Sequence, residues 1–184
     1  MAKLVSQTYA QALFELAVEE NKTSLLLDEA SGLLEVIRTN AEFDRFMNHP
    51  KIPREEKIEV VKNVFEGRIS KELEGFLMTV IEKDRYTEIE AILEVFIAKV
   101  KEYSSIGTAY VTTAIALDEK EKRDIETRLL ATTGYKTVEC IYDVDSSLIG
   151  GMVIKMGDKV VDSSIRTKLE KLQRELLKIQ LKNK

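Results

Sequence analysis

Cysteine and histidine are almost missing from this chain of 184 residues, which has one of each, Cys140 and His49. A lone cysteine forms no internal disulfide, and a lone histidine does not by itself build a zinc shell or a nucleophile–base pair. With only 2 prolines and 8 glycines, collagen-like and low-complexity chains are excluded. No apolar run approaches the roughly 18 residues of a membrane-spanning helix. The start, Met1-Ala2-Lys3-Leu4-Val5-Ser6-Gln7, has neither the apolar stretch of a signal peptide nor an Arg-rich presequence, so neither export nor import is expected. Positive charge is not in excess either: 28 basic against 32 acidic side chains leave −4, whereas nucleic-acid binders usually show a strongly basic domain or face. What remains, 44% hydrophobic and 33% charged, is the composition of a folded, helix-rich soluble chain. Catalysis is disfavoured.

Apolar residues recur at helical spacing through the first hundred residues. The first segment, from Val5 to about Glu20, carries two adjacent stripes, Tyr9, Leu13 and Leu16 beside Ala10, Phe14 and Ala17. Thr23 or Ser24 is expected to cap a second helix, Asn40 a short third, and Pro53 with Glu55 and Glu56 to open a fourth that stops at Gly67. Ser70 begins a fifth with Leu73, Phe76, Leu77, Val80 and Ile81, and Arg85-Tyr86-Thr87 separates it from a sixth. Short connections between six helices predict a bundle.

At Tyr103-Ser104-Ser105-Ile106-Gly107 the period changes from 3.6 to 2, which sets the expected domains at 1–105 and 106–184. Ala109, Val111, Thr113 and Ile115 alternate as one strand and Val138, Cys140, Tyr142 and Val144 as another. Between them Asp118 and Glu121 have capping-box spacing for a helix. Gly157-Asp158 reads as a two-residue hairpin turn between Met152–Met156 and Lys159–Asp162. A last helix runs from about Ser164 to Leu181. The fold class is α+β: a six-helix bundle, then a β-α-β-β-α domain with its helices on one face of a small sheet.

Motifs with chemical content fail on inspection. Gly150-Gly151 and Gly157 lack the Gly-Lys-Ser/Thr ending of a phosphate loop and lie between strands. Asp143-Val144-Asp145-Ser146-Ser147 begins like a calcium loop, but Leu148 and Ile154 stand where glycine and the bidentate glutamate are needed. A KH-type RNA clamp needs Gly-X-X-Gly between helices, which the chain lacks. Cys140 falls on a strand's alternation and reads as a small hydrophobe, and His49 as a loop residue.

Two apolar features exceed what a core needs. The double stripe of the first helix is matched on the fifth by Leu73, Leu77 and Val80 beside Met78 and Ile81. Such a pair fits a groove for a partner's amphipathic helix, and equally a central helix buried on several sides. The terminal helix repeats Ile165, Leu169, Leu172, Leu176 and Ile179 like a coiled-coil seam. At about 27 Å it outruns strands of about 17 Å, so Leu177, Ile179 and Leu181 are expected on an overhang. From Arg166 to Lys184 seven basic residues face two acidic ones, a local +5 that favours an acidic partner or surface.

The stretch Leu148-Ile149-Gly150-Gly151-Met152-Val153-Ile154-Lys155-Met156-Gly157-Asp158-Lys159-Val160-Val161-Asp162-Ser163-Ser164-Ile165-Arg166 resembles the C-terminal signature of the delta subunit of F-type ATP synthases. The mitochondrial counterpart is the oligomycin-sensitivity-conferring protein. Tyr9-Ala10-Gln11-Ala12-Leu13-Phe14-Glu15-Leu16-Ala17 is similar to that family's first helix, and His49-Pro50-Lys51-Ile52-Pro53 with Lys57 fits its mid-chain pattern. The signature residues are Gly150, Gly151, Gly157, Asp158, Asp162, Ser164 and Arg166.

The resemblance implies a stator subunit without active site, cofactor or metal, which ties the catalytic head to the peripheral stalk so that rotation does useful work. It implies that the N-terminal bundle binds the N-terminal helix of an alpha subunit between its first and fifth helices. Carried onto this chain, the contacts are Tyr9, Ala12, Leu13 and Leu16 with Leu77, Met78 and Ile81. The C-terminal domain is implied to bind the C-terminal ends of the b subunits, with Leu177, Ile179 and Leu181 as the contact. One copy per complex, indirect membrane association and a place on the cytoplasmic face of a bacterial membrane follow from the same resemblance, with no nucleic acid. The alternative is an RNA-associated two-domain adaptor using the basic C-terminal helix.

Overall fold

The computed structural model describes the backbone of residues 2–182 and the side chains of residues 4–175. The chain divides into two compact units between Tyr103 and Ser104. The first holds α1 (Ala2–Glu19), α2 (Thr23–Thr39), α3 (Ala41–Met47), α4 (Arg54–Phe65), α5 (Lys71–Glu82), a 3-10 turn (Tyr86–Glu88) and α6 (Ile89–Tyr103). The second holds β1 (Ile106–Thr113), α7 (Glu119–Thr132), β2 (Thr137–Val144), a 3-10 turn (Ser146–Leu148), β3 (Met152–Met156), β4 (Lys159–Asp162) and α8 (Ile165–Lys182).

Local chemistry sets the helix ends. Asn40 caps α3 by accepting from the Phe43 N–H at 3.1 Å. Ser70 caps α5, and Ser70 is itself gripped by Glu29 of α2, whose carboxylate accepts from its backbone N–H at 2.9 Å and its hydroxyl at 2.6 Å. α1 and α5 stop alike. Asn21 and Asp84 take positive φ of 55° and 53°, and the following N–H groups reach back five residues, Lys22 to Ala17 and Arg85 to Val80, both at 2.9 Å. Asn and Asp tolerate this left-handed position because their short polar side chains bond locally. Two expected starts differ in detail. Thr23 lies inside α2 behind Lys22, which makes no side-chain cap bond, and Pro53 precedes α4 rather than opening it.

Helices α1, α2, α5 and α6 bury one continuous core. Ala10, Leu13, Ala17, Leu26, Leu73, Val80, Ile92, Leu93, Phe96 and Val100 are fully buried. Removal of these side chains from water is the main favourable term holding the unit together.

The sheet of the second unit has strand order β2-β1-β3-β4. β1 runs parallel to β2, from Ile106↔Thr137 to Thr113↔Val144. β3 is antiparallel to β1, and β4 to β3. The crossover α7 carries the expected capping box: the Glu121 N–H donates to Asp118 at 2.7 Å and the Asp118 N–H to the Glu121 carboxylate at 2.9 Å. Ala109, Val111 and Ile125 form the buried centre, ringed by Leu117, Leu129, Val138, Cys140, Tyr142, Met152, Ile154 and Met156. Burial pushes the Cys140 thiol up. The other face is open, and the register lines up Ile141, Tyr110, Lys155 and Val160 across it, with Tyr110, Ile141 and Val160 exposed. α8 departs from the expectation of helices on one face. It packs chiefly on the Ser146–Leu148 turn, and Ile165, Leu169 and Leu172 are 42%, 52% and 55% exposed.

Candidate functional site

The apolar strip between α1 and α5 is a groove of about 450 Å³. α1 contributes Tyr9, Ala12, Leu13 and Leu16, and α5 contributes Lys71, Glu72, Gly75, Phe76 and Thr79. Leu13 is fully buried, Ala12 is exposed, and Tyr9 and Leu16 are half-buried. The Tyr9 and Phe76 rings meet edge to face, 6.5 Å between centroids at 70°. At the end nearest the start of α5, the Lys22 ammonium holds the Glu72 carboxylate at 2.6 Å, and that hydrogen bond keeps the Glu72 carboxyl below the ordinary carboxylate range. Together with the Glu29 grip on Ser70, Lys22 at the head of α2 thus fixes the start of α5 against α2.

The fifth-helix residues named from sequence lie elsewhere. Leu77 and Ile81 are 2% exposed and belong to the core; Met78 is half-buried and outside the groove wall. At roughly 100° per residue, Leu73, Leu77 and Val80 fall on the side of α5 opposite Gly75 and Thr79. Periodicity finds the stripes of a helix but does not say which one meets the core. Ile81 instead borders a second cavity, of about 180 Å³, with Met47, Lys57 and Tyr86. The Tyr86 side chain is buried and its hydroxyl makes no hydrogen bond among the described residues. Burial, then the charges of Asp44 and Glu90, raises its pKa. No sequence signal marked this tyrosine. His49 is a loop residue, its Nδ1 accepting from the Lys51 N–H at 3.2 Å.

The glycine-rich signature is a knot between the end of the sheet and the start of α8. Gly151 has φ +77°, and a Cβ there would lie 2.5 Å from the Ser163 carbonyl oxygen. A Cβ on Gly150 would lie 2.6 Å from the Ile165 side chain. Gly157, at φ +55°, serves the turn alone, since nothing lies within 4 Å of its Cβ position. Asp158 completes that turn. The Asp162 carboxylate accepts from the Ser164 N–H at 2.8 Å and the Thr167 hydroxyl at 2.7 Å. These bonds, led by those from Ser164, bring its pKa down to about 2. The fully buried Ser164 accepts from the Thr167 N–H at 3.2 Å, and Arg166 donates to the Ser147 hydroxyl at 2.8 Å. These bonds and close approaches tie residues 147–167 together within the second unit. The side chains of Leu177, Ile179 and Leu181 lie outside the described residues.

Known proteins share this pattern over nearly the whole chain. The family model described as ATP synthase delta (OSCP) subunit matches residues 5–176. The chain belongs to that family. The ATP synthase subunit delta of Lachnoclostridium phytofermentans is 49% identical over 181 residues, 98% of this chain and 100% of the relative. That of Desulforamulus reducens is 36% identical, covering 94% and 95%. In fold, the chain superposes on one from the Toxoplasma gondii mitochondrial ATP synthase hexamer with a TM-score of 0.76 at 19% identity, covering 94% and 97%. As a delta/OSCP subunit the chain is a non-catalytic stator component, linking the catalytic head to the peripheral stalk in ATP synthesis and ion transport. It is a peripheral component of the complex, and among the described residues no helix is long and apolar enough to cross a membrane. The relatives lend no support to the RNA-associated reading.

Proposed function

We propose that the two ends of the link are carried by the two units. Residues 1–105 act as a six-helix bundle whose α1–α5 groove receives the N-terminal helix of an alpha subunit. Tyr9, Ala12 and Leu16 face Phe76 and Thr79 across it, with Leu13 as floor. The observation that carries this reading is the groove itself, a concave apolar strip between two helices, the shape in which an amphipathic helix lays its apolar face. Residues 106–184 take the C-terminal ends of the b subunits along α8. Exposure of Ile165, Leu169 and Leu172 supports a helical partner there, and we assign Leu177, Ile179 and Leu181, further along the same helix, to the contact. One copy serves each complex, on the cytoplasmic face of a bacterial membrane.

Titration of a synthetic alpha-subunit N-terminal peptide and a purified b C-terminal fragment tests both ends. Ala12→Glu places an unpaired charge in the groove and is expected to abolish peptide binding while b binding and the circular dichroism spectrum stay unchanged. Removal of residues from Leu177 onward is expected to weaken b binding alone. Unchanged peptide affinity in folded Ala12→Glu refutes the groove, and full b affinity after truncation refutes the α8 contact.

A further inference from the structure

Glycine is the least favoured residue of a helix interior after proline, yet α5 carries Gly75 in its middle. The fold does not require it. Its backbone is outside the left-handed region, and a Cβ added there would meet nothing within 4 Å. Open space alone is no signal, since Gly32 of α2 has it as well. Gly75 differs in place: it lies on the groove wall between Glu72 and Phe76, opposite the wall that carries Ala12. The groove is thus lined by the smallest side chains at Ala12 and Gly75 and by the Tyr9 and Phe76 rings.

We propose that Gly75 is the specificity-determining position of the groove, a socket over the α5 backbone that accepts a large apolar side chain of the docked helix. This rests on the groove reading above. The charge beside the socket further defines the occupant. Lys22 engages Glu72, while Lys71, also on the wall, acts on Glu72 only through its charge and forms no ion pair among the described residues. The occupant is thus an amphipathic helix of the catalytic head with a bulky apolar residue for the socket and a carboxylate within reach of Lys71.

The test uses the full chain and the alpha-subunit N-terminal peptide, with affinity and thermal midpoint measured on the same samples. Gly75→Leu fills the socket; it is expected to raise the midpoint through helix propensity and to weaken the peptide by roughly tenfold or more. Gly32→Leu receives the same propensity gain away from the groove and keeps wild-type affinity. Gly75→Ala, the gentlest filling, is expected to fold under any outcome and to bind more weakly than wild type. Wild-type affinity is also expected to fall with added salt, and Lys71→Gln to lose most of that dependence. Equal affinity of wild type, Gly75→Leu and Gly75→Ala overturns the socket while leaving the groove standing. Failure of the wild-type chain to bind the peptide overturns groove and socket together. An affinity indifferent to salt in both wild type and Lys71→Gln overturns the acidic partner residue.

Discussion

Among the described residues the largest fully buried side chains, Phe96, Leu13, Leu26 and Met47, belong to the unit that ends at Tyr103. Among the described residues the second unit buries less: Ala109, Val111 and Ile125 at its centre, with Ile165, Leu169 and Leu172 of α8 exposed. The first unit is held by bulk burial, which tolerates surface variation and leaves a groove between finished helices. The second adds to its smaller core a set of local hydrogen bonds and special backbone conformations around Gly150–Thr167. This contrast explains why the most specific motif of the chain lies in the smaller core: where apolar area is scarce, turn and cap residues decide the structure.

The sharpest way to break the contrast is Phe96→Ala. Truncating a fully buried phenylalanine is expected to cost about 3–5 kcal/mol. Guanidinium unfolding should show the helical signal melting early, while a probe in the second unit keeps its midpoint. A common shift of both probes would show that the units do not unfold independently. Next comes Gly151→Ala, which combines positive φ with a backbone collision and is expected to cost about 2–3 kcal/mol, confined to the second unit. Gly157→Ala, with the same φ problem but open space, is expected to cost about 1 kcal/mol; comparison of their midpoints separates collision from conformation.

A smaller effect concerns acid. The Asp162 carboxyl sits at about 2, below its ordinary 3.8, because its charged form accepts the α8 cap bonds. A depressed folded pKa means that the stabilisation is fully present above 3.8 and is lost as pH falls through about 2. Asp162→Asn should therefore flatten the acid limb of the second unit's melting curve and leave the first unit's unchanged. Smallest is Tyr86→Phe. Removing a buried hydroxyl that has no partner among the described residues relieves a desolvation cost, and the first unit is expected to gain up to about 1 kcal/mol, read as a rise in its thermal midpoint.

The mixture of helix and sheet was legible in the periods of the sequence, and the α7 capping box and the Gly157-Asp158 hairpin were legible down to their hydrogen-bonding residues. Those signals are local: one or two side chains and their own backbone decide them. What escaped is set by packing between distant segments. On α5, Leu77 and Gly75 both sit in periodic positions, and only the neighbours of α5 in space assign the first to the core and the second to the groove. The αL stops at Asn21 and Asp84 were missed because Gly is the stronger signal, although Asn and Asp serve. Tyr86 read as an ordinary helix breaker because nothing in its neighbourhood in sequence reveals a buried hydroxyl.

The register of the sheet has a mechanical consequence for a part that must withstand torque. The chain enters the second unit at Ile106, one end of β1, and leaves for α8 after Asp162, which pairs through Val153 with Thr112 near the other end of β1. Tension between Ser105 and α8 therefore pulls β1 and β4 from opposite ends, along the strands. The ladder bonds run across the strands, so this pull shears them all at once instead of unzipping them one after another, and the sheet yields only when whole rows slide.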